Sequence, residues 1–173
     1  MSFVDLDRHR GYSLIEVLIA VTIIGILTGS SLVGYNRFQG RQGLKSAGEQ
    51  LVSDLRLTQQ KALSGEKPDN WCNGSGQTLA GWGLEFITPL TTYKIQAICS
   101  DVSVNPSTDK TIILPNSVTK FGGDSSIDFA AVDGTASNAS FILSRQLGTS
   151  SSQITVTTTS AGLIFLSPIT DIP

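Results

Sequence analysis

Glu16 is the residue whose type and position most strongly suggest chemistry. It stands just ahead of an uncharged, largely apolar run from Val17 to Asn36, and Arg8-His9-Arg10 precede it. A run of this length matches the roughly 20 residues that a helix needs to cross a bilayer. A carboxylate at the bilayer centre costs about 2.5 to 3.5 kcal/mol on insertion scales, so we expect a chain that carries one there to use it.

The other acidic residues that are close in sequence do not form a recognised motif. Asp124, Asp128 and Asp133 lack the D-x-D-x-D-G spacing of a calcium loop, so a solvated acidic loop is the favoured interpretation. We predict no catalytic residues, no metal site and no cofactor.

The two cysteines, Cys72 and Cys99, both follow the apolar run. If the region after the run is exported, an even pair in an oxidising compartment indicates one disulfide, with two buried free thiols as the alternative. Zinc is not expected, because a structural site requires four nitrogen or sulfur ligands.

The segment Gly11-Tyr12-Ser13-Leu14-Ile15-Glu16, together with the apolar run, resembles the N-terminus of type IV prepilins. The usual form in that family is G-F-[ST]-L-[IV]-E ahead of a long hydrophobic helix. The resemblance implies that residues 1–11 are a cytoplasmic leader and that a prepilin peptidase/methyltransferase cuts between Gly11 and Tyr12. It also implies that the new N-terminal amine of Tyr12 is methylated and that Glu16 acts in subunit assembly. His9 leaves with the leader, so no histidine-dependent catalysis survives processing.

Two other interpretations of the N-terminus remain. A secretory signal peptide has an apolar region of about 7 to 15 residues and an A-x-A-like site, which this segment lacks. An ordinary single-pass anchor could hold Glu16 at headgroup depth. Neither interpretation explains Gly11 and Glu16 together, so the prepilin-like interpretation is favoured.

The helical pattern continues beyond the apolar run. Residues at spacings of three and four mark one face of a helix: Leu44, Ala47, Leu51, Leu55, Thr58 and Ala62. We predict one helix from Tyr12 to about Ser64, ended by Gly65 and Pro68. Residues 12–36 are its transmembrane or filament-core part, and residues 37–65 are its amphipathic part.

After a loop from Glu66 to Leu79, the pattern changes to short strands separated by turn residues. The predicted strands are Gly83 to Thr88, Thr92 to Ser100, Thr111 to Leu114, Val118 to Phe121, Ile127 to Val132, Ser140 to Leu143, Gln153 to Thr159 and Leu163 to Leu166. Strands after one long helix predict an α+β fold. The N-terminal helix is expected to pack on an antiparallel sheet in a head of residues 66–173, as in the pilin fold.

A second resemblance, to minor pilins and pseudopilins of the GspH/FimT type, is carried by two patterns. One is Gly81-Trp82-Gly83-Leu84-Glu85-Phe86, and the other is the late strand–glycine–strand pattern from Ile154 to Phe165. The resemblance implies a minor subunit. A role for Trp82 and Phe86 as ordinary core residues is equally compatible with the pattern.

The distribution of charge along the chain indicates which kinds of partner it could bind. The chain has 173 residues and a net charge of -2. Residues 37–65 contain five basic and two acidic residues, whereas residues 66–173 contain five basic and nine acidic ones, so the head is acidic. An acidic head disfavours nucleic-acid binding.

We therefore expect a structural subunit of a type IV filament, a minor pilin or pseudopilin and not an enzyme. Its expected partners are the prepilin peptidase, other pilin subunits and the inner membrane, crossed once with the head outside the cytoplasm. The alternatives are a subunit of a type II secretion pseudopilus, a DNA-binding tip pilin, and an enzyme or ligand-binding domain on a simple anchor.

Overall fold

The computed structural model describes residues 12–68, 71–72, 76–101, 106–115, 117–147 and 150–172, without the side chains of residues 30–34, 36, 37 and 147. This part of the chain forms one helix and nine strands: α1 (Leu14–Ser64), β1 (Leu79–Ile87), β2 (Thr92–Cys99), β3 (Ser107–Ile113), β4 (Val118–Gly123), β5 (Ser126–Ala130), β6 (Ala139–Leu147), β7 (Ser150–Thr158), β8 (Ile164–Leu166) and β9 (Thr170–Ile172). The chain divides into two compact units, Met1–Phe38 and Gln39–Pro173. The leader predicted at residues 1–11, with Gly11, lies outside the described residues.

Helix α1 ends at Ser64, where the sequence predicted its end. Gly65 has a φ of 63°, in the left-handed region that glycine adopts without steric cost. Its N–H donates to the carbonyl of Ala62 at 3.1 Å, and the N–H of Glu66 donates to the carbonyl of Lys61 at 3.2 Å. These two bonds form a Schellman motif, which satisfies carbonyls of the last turn.

The C-terminal part of α1 buries the face that the sequence period predicted. Six residues on this face are fully buried: Leu44, Ala47, Leu51, Leu55, Thr58 and Ala62. The apolar members share one core cluster with buried side chains of the strands, of which the largest are Trp82, Tyr93, Phe129 and Phe141. The predicted α+β fold, with a helix packed on antiparallel strands, is therefore confirmed.

The strands form two antiparallel sheets, although the sequence suggested one. The first has the order β3-β2-β1-β5, and the second has the order β4-β6-β7-β8 with β9 also paired to β7. The chain passes from one sheet to the other between β4 and β5, because β4 pairs with β6 whereas β5 pairs with β1. Such pairings between distant strands leave no local pattern in the sequence, so the sequence analysis could not separate the two sheets.

The passage between the sheets depends on Gly123 and Asp124. Gly123 has a φ of 80°, and a side chain there would overlap the carbonyl of Ser140. The N–H of Asp124 donates to the carbonyl of Ser140 at 2.7 Å, and the N–H of Ser140 donates to Asp124 Oδ2 at 2.8 Å. The tight approach therefore requires glycine, and the aspartate fixes the turn.

A buried polar cluster connects α1 to the first sheet. Asp54 is 5% exposed and accepts a hydrogen bond of 2.6 Å from the hydroxyl of Tyr93, on β2. Lys110, on β3, lies 3.3 Å from the other carboxylate oxygen. Burial raises the pKa of Tyr93, and its bond to Asp54 raises that pKa further. The folded protein therefore holds the tyrosine proton more tightly than the unfolded chain does.

Cys72 and Cys99 are joined by a disulfide, with 5.7 Å between their Cα atoms and a sequence separation of 27. The bridge ties the loop after α1 to the end of β2. On the chain-entropy model a closed loop of this size contributes roughly 3 to 4 kcal/mol to stability.

Strand β9 was missed by the sequence analysis, because three exposed residues give no alternation of apolar and polar side chains. It is held by pairing with β7 and by Asp171. That carboxylate accepts a hydrogen bond of 2.7 Å from the hydroxyl of Ser152 and forms an ion pair with Arg41 of α1.

We expect Gly123→Ala to lower the free energy of unfolding by about 1 to 3 kcal/mol, because alanine is strained at this φ and meets the Ser140 carbonyl. Gly122→Ala is the matched control, since its new methyl group would come no closer than 3.5 Å to Ile142. Denaturant unfolding of both variants measures the difference. Equal stability of the two variants would contradict the role given to Gly123.

The raised pKa of Tyr93 predicts a pH dependence at alkaline pH. The unfolded tyrosine titrates near pH 10, so the stability that Tyr93 contributes is present below about pH 10 and is lost as the pH rises above it, by at most about 1.4 kcal/mol per pH unit. Tyr93→Phe removes this titration, so we expect its free energy of unfolding to fall less than that of the wild type between pH 9 and 11. An equal fall in both proteins would show that Tyr93 does not contribute.

Candidate assembly site

Helix α1 begins at Leu14, two residues later than predicted, because Ser13 caps it. The N–H of Glu16 lies 3.3 Å from the hydroxyl of Ser13 and 3.1 Å from its carbonyl. Ser13 and Glu16 stand in the S-x-x-E spacing of a capping box, and an acidic residue in the first turn complements the helix dipole. The sequence analysis gave Ser13 no role, although this spacing could have shown it.

The N-terminal part of α1 exposes apolar side chains on all sides. Tyr12, just before the helix, is 81% exposed, and the large apolar residues of the helix up to Leu27 are 51% to 84% exposed: Leu14, Ile15, Val17, Leu18, Ile19, Val21, Ile23, Ile24, Ile26 and Leu27. A helix that is apolar all round is normally buried, in a protein core or in a membrane. This segment therefore has the character of a surface that another apolar phase or chain covers.

The polar groups of this segment are largely satisfied within the helix itself. The hydroxyl of Thr22 donates to the carbonyl of Ile19 at 2.8 Å, and that of Thr28 donates to the carbonyl of Ile24 at 2.7 Å. Glu16 is the one charged residue between Tyr12 and Gly29. Its exposed carboxylate is therefore the group that most needs a partner once the apolar surface is covered.

Gly25 and Gly29 leave gaps in the apolar surface, because glycine has no side chain. Apart from the glycine, its chain neighbours and the adjacent helical backbone, no described heavy atom lies within 4 Å of where a Cβ would stand at either residue. A G-x-x-x-G spacing allows two helix backbones to approach closely in an apolar environment.

Among the described residues, no helical stretch has both the length and the hydropathy required to cross a membrane. The membrane segment predicted at residues 12–36 stays a prediction.

The three acidic residues that are close in sequence, Asp124, Asp128 and Asp133, do not converge on one site. The carboxylate of Asp124 accepts a hydrogen bond of 2.8 Å from the N–H of Ser140. The carboxylate of Asp133 accepts hydrogen bonds of 3.0 and 2.9 Å from the N–H and the hydroxyl of Thr135. These bonds lower the pKa of Asp133. Asp128 lies on β5, and within the described ranges no group of three or more histidine, cysteine or acidic side chains is placed to hold a metal ion.

Many basic side chains are engaged with carboxylates. Ion pairs in the described part of the chain include Arg41–Asp171, Lys45–Glu49, Lys61–Glu66, Lys61–Asp109, Lys94–Glu85 and Lys110–Asp54. These ion pairs partly neutralise the positive charge that binding to phosphates would require.

Trp82 and Phe86, from the glycine-rich pattern of β1, are core residues. Trp82 is fully buried and its indole N–H donates to the carbonyl of Glu66 at 2.8 Å. The ammonium of Lys61 lies 4.6 Å from the centre of the Trp82 ring system. The ring of Phe86 packs against Tyr93 of the first sheet and Phe141 of the second. This pattern therefore joins the end of α1 and both sheets.

Comparison with known proteins identifies the N-terminal segment. Residues 6–32 match the family model described as the prokaryotic N-terminal methylation motif. Over 127 residues the chain is 29% identical to the type IV major pilin protein PilA of Myxococcus xanthus (strain DK1622). The match covers 70% of this chain and 55% of that protein, so the chain spans about half the length of this relative. No solved structure matches the chain.

The matches confirm the predicted resemblance to type IV pilins. They do not distinguish the GspH/FimT type from other pilins. Tyr12 and Glu16 both lie within the matched motif; Tyr12 stands two residues before α1, and Glu16 lies in its first turn.

Proposed function

We propose that this chain is a non-catalytic structural subunit of a type IV filament, of the minor pilin or pseudopilin kind. The observation that carries the proposal is the methylation motif at residues 6–32, which leads into a helix with its large apolar side chains exposed on all sides. A filament of packed helices is an arrangement that covers such a surface. The antiparallel head, closed by a disulfide, suits exposure outside the cytoplasm.

The proposed route to the filament begins with membrane insertion. Residues 1–11 stay in the cytoplasm, the helix crosses the inner membrane once, and the head faces outward. A prepilin peptidase then cuts between Gly11 and Tyr12 and methylates the new amine. Accessibility supports this step, because Tyr12 is 81% exposed and precedes the first helical residue.

In the assembled filament, we propose that the carboxylate of Glu16 pairs with the N-terminal ammonium of Tyr12 in a neighbouring subunit. Both groups lose hydration when apolar helices pack around them, and pairing offsets part of that loss. Because Glu16 is the one charge on the segment, the pair also fixes the axial register between neighbouring helices. Gly25 and Gly29 give the helices room to approach.

The similarity to a protein named as a type IV major pilin favours a pilus over the pseudopilus of type II secretion. Both assemblies use the same leader and helix, so the second remains the alternative. A DNA-binding tip pilin is disfavoured by the acidic head and by the carboxylate partners of Arg41, Lys61 and Lys110.

We expect the mature protein to begin at a methylated Tyr12. Intact-mass measurement of the membrane-extracted protein should show the loss of residues 1–11 and the gain of one methyl group. Gly11→Val should leave the precursor uncut, because a bulkier residue does not fit a peptidase site that accepts glycine. A mature chain that begins near Ser31 would indicate signal-peptidase cleavage instead and would end the pilin interpretation.

Glu16→Ala is expected to leave cleavage and membrane insertion intact but to lower incorporation into filaments severalfold, because the buried ammonium loses its partner. Quantitative immunoblotting of sheared, purified filaments against whole cells measures this. Ser13→Ala is the matched control. It weakens the helix cap by about 1 kcal/mol but keeps the carboxylate, so incorporation should stay near the wild-type level.

The two variants separate pairing from capping. Equal loss in Glu16→Ala and Ser13→Ala would mean that Glu16 acts through the helix start. Normal incorporation of Glu16→Ala would rule out a role in assembly.

A further inference from the structure

The outer face of the first sheet carries a set of polar side chains around Gly83. In the strand register, Gly83 of β1 stands opposite both Gln96 of β2 and Asp128 of β5. Residues opposite each other project to the same face, and so does Glu85, two residues further along β1. Three polar side chains from three adjacent strands therefore surround one residue that has no side chain.

Gly83 makes room for the carboxylate of Asp128. A Cβ on Gly83 would overlap Asp128 Oδ1 and would lie 3.1 Å from the Cδ1 atom of Ile98. Asp128 Oδ1 thus lies over Gly83 of β1, the residue that stands opposite Gln96.

One buried oxygen of this cluster, Gln96 Oε1, lacks a donor among the described residues. Gln96 is 7% exposed, and its amide nitrogen donates to Glu85 Oε2 at 3.2 Å. The oxygen of the same amide is buried and has no hydrogen-bond partner among the described residues. A buried carbonyl oxygen without a donor is rare in folded proteins and often marks an unseen water or ion.

The charge balance at the cluster also leaves room for a cation. The strand register places the carboxylates of Glu85 and Asp128 on the same face of two adjacent strands. The ammonium of Lys94 lies 3.1 Å from Glu85 Oε2 and so neutralises part of this negative charge, on the side of the cluster away from β5.

We propose that Glu85, Gln96 and Asp128 bind one divalent cation, and that the chemistry of the three ligands selects Ca²⁺. Carboxylate and amide oxygens are the ligands that Ca²⁺ takes in flexible geometry, with water completing its shell, whereas Mg²⁺ demands a near-ideal octahedron. Three protein ligands and the nearby Lys94 predict weak binding, with a Kd of about 10⁻⁴ to 10⁻³ M, as in extracellular modules. This site differs from the acidic loop considered in the sequence, because its third ligand is an amide that no acidic spacing reveals.

Calorimetric titration of the full chain in neutral detergent with CaCl₂ tests the proposal. The wild type should bind one Ca²⁺ with a Kd of about 10⁻⁴ to 10⁻³ M, and Mg²⁺, added as MgCl₂, should bind at least tenfold more weakly. Asp128→Asn should weaken Ca²⁺ binding at least tenfold, whereas Lys94→Met should strengthen it severalfold by removing a competing charge. Glu49→Gln, which removes an acidic side chain on α1 away from the cluster, should leave the Kd unchanged.

The proposal would be overturned if the wild type bound no Ca²⁺ at concentrations up to about 10⁻² M, which is 10-fold above the expected Kd range. So would an unchanged Kd in Asp128→Asn, or an equal loss in Glu49→Gln. Circular dichroism of each variant without Ca²⁺ checks that it is folded. If Asp128→Asn does not fold, Lys94→Met decides, and an affinity no tighter than wild type contradicts the site.

Discussion

The exposed apolar surface of α1 between Leu14 and Leu27 is the constraint on which the account depends. Covering one large aliphatic side chain contributes roughly 1.5 to 3 kcal/mol, so covering a surface of this size is strongly favoured over leaving it in water. The hydroxyls of Thr22 and Thr28 bond within the helix, so they do not oppose that burial. Glu16 does oppose it, and any environment that covers the surface must also provide for this carboxylate.

The C-terminal part of α1 differs, because its apolar face is already buried against strands of its own unit. Fully buried residues such as Leu51 and Leu55 supply the apolar contact, and polar contacts fix its position. The carboxylate of Asp54 accepts a hydrogen bond from the hydroxyl of Tyr93, and the ammonium of Lys61 lies over the ring of Trp82. Removing one member of a buried polar pair leaves the other unsatisfied, so such contacts specify how the helix lies on the sheet. One continuous helical sequence therefore serves two different surroundings.

Local sequence patterns predicted the features that are encoded locally. The three-to-four spacing from Leu44 to Ala62 gave the buried helix face, Gly65 gave the helix end, and the two cysteines gave the bridge seen in the structure. The two sheets, β9 and the cluster around Gly83 arise from pairings between strands distant in sequence, which no local period records. The placement of Asp128 and Gln96 on either side of Gly83 follows from such pairings, so composition and spacing could not predict it.

The central claim is that Glu16 of one subunit contacts the N-terminal amine of another. The most direct test is solid-state NMR of filaments assembled from two pools of protein, one labelled with ¹⁵N-tyrosine and the other with glutamate carrying ¹³C at its carboxyl carbon. Dipolar dephasing between the resolved amine signal of Tyr12 and the carboxyl carbon should report a separation of about 4 Å between subunits. Absence of dephasing in well-ordered mixed filaments would contradict the pairing.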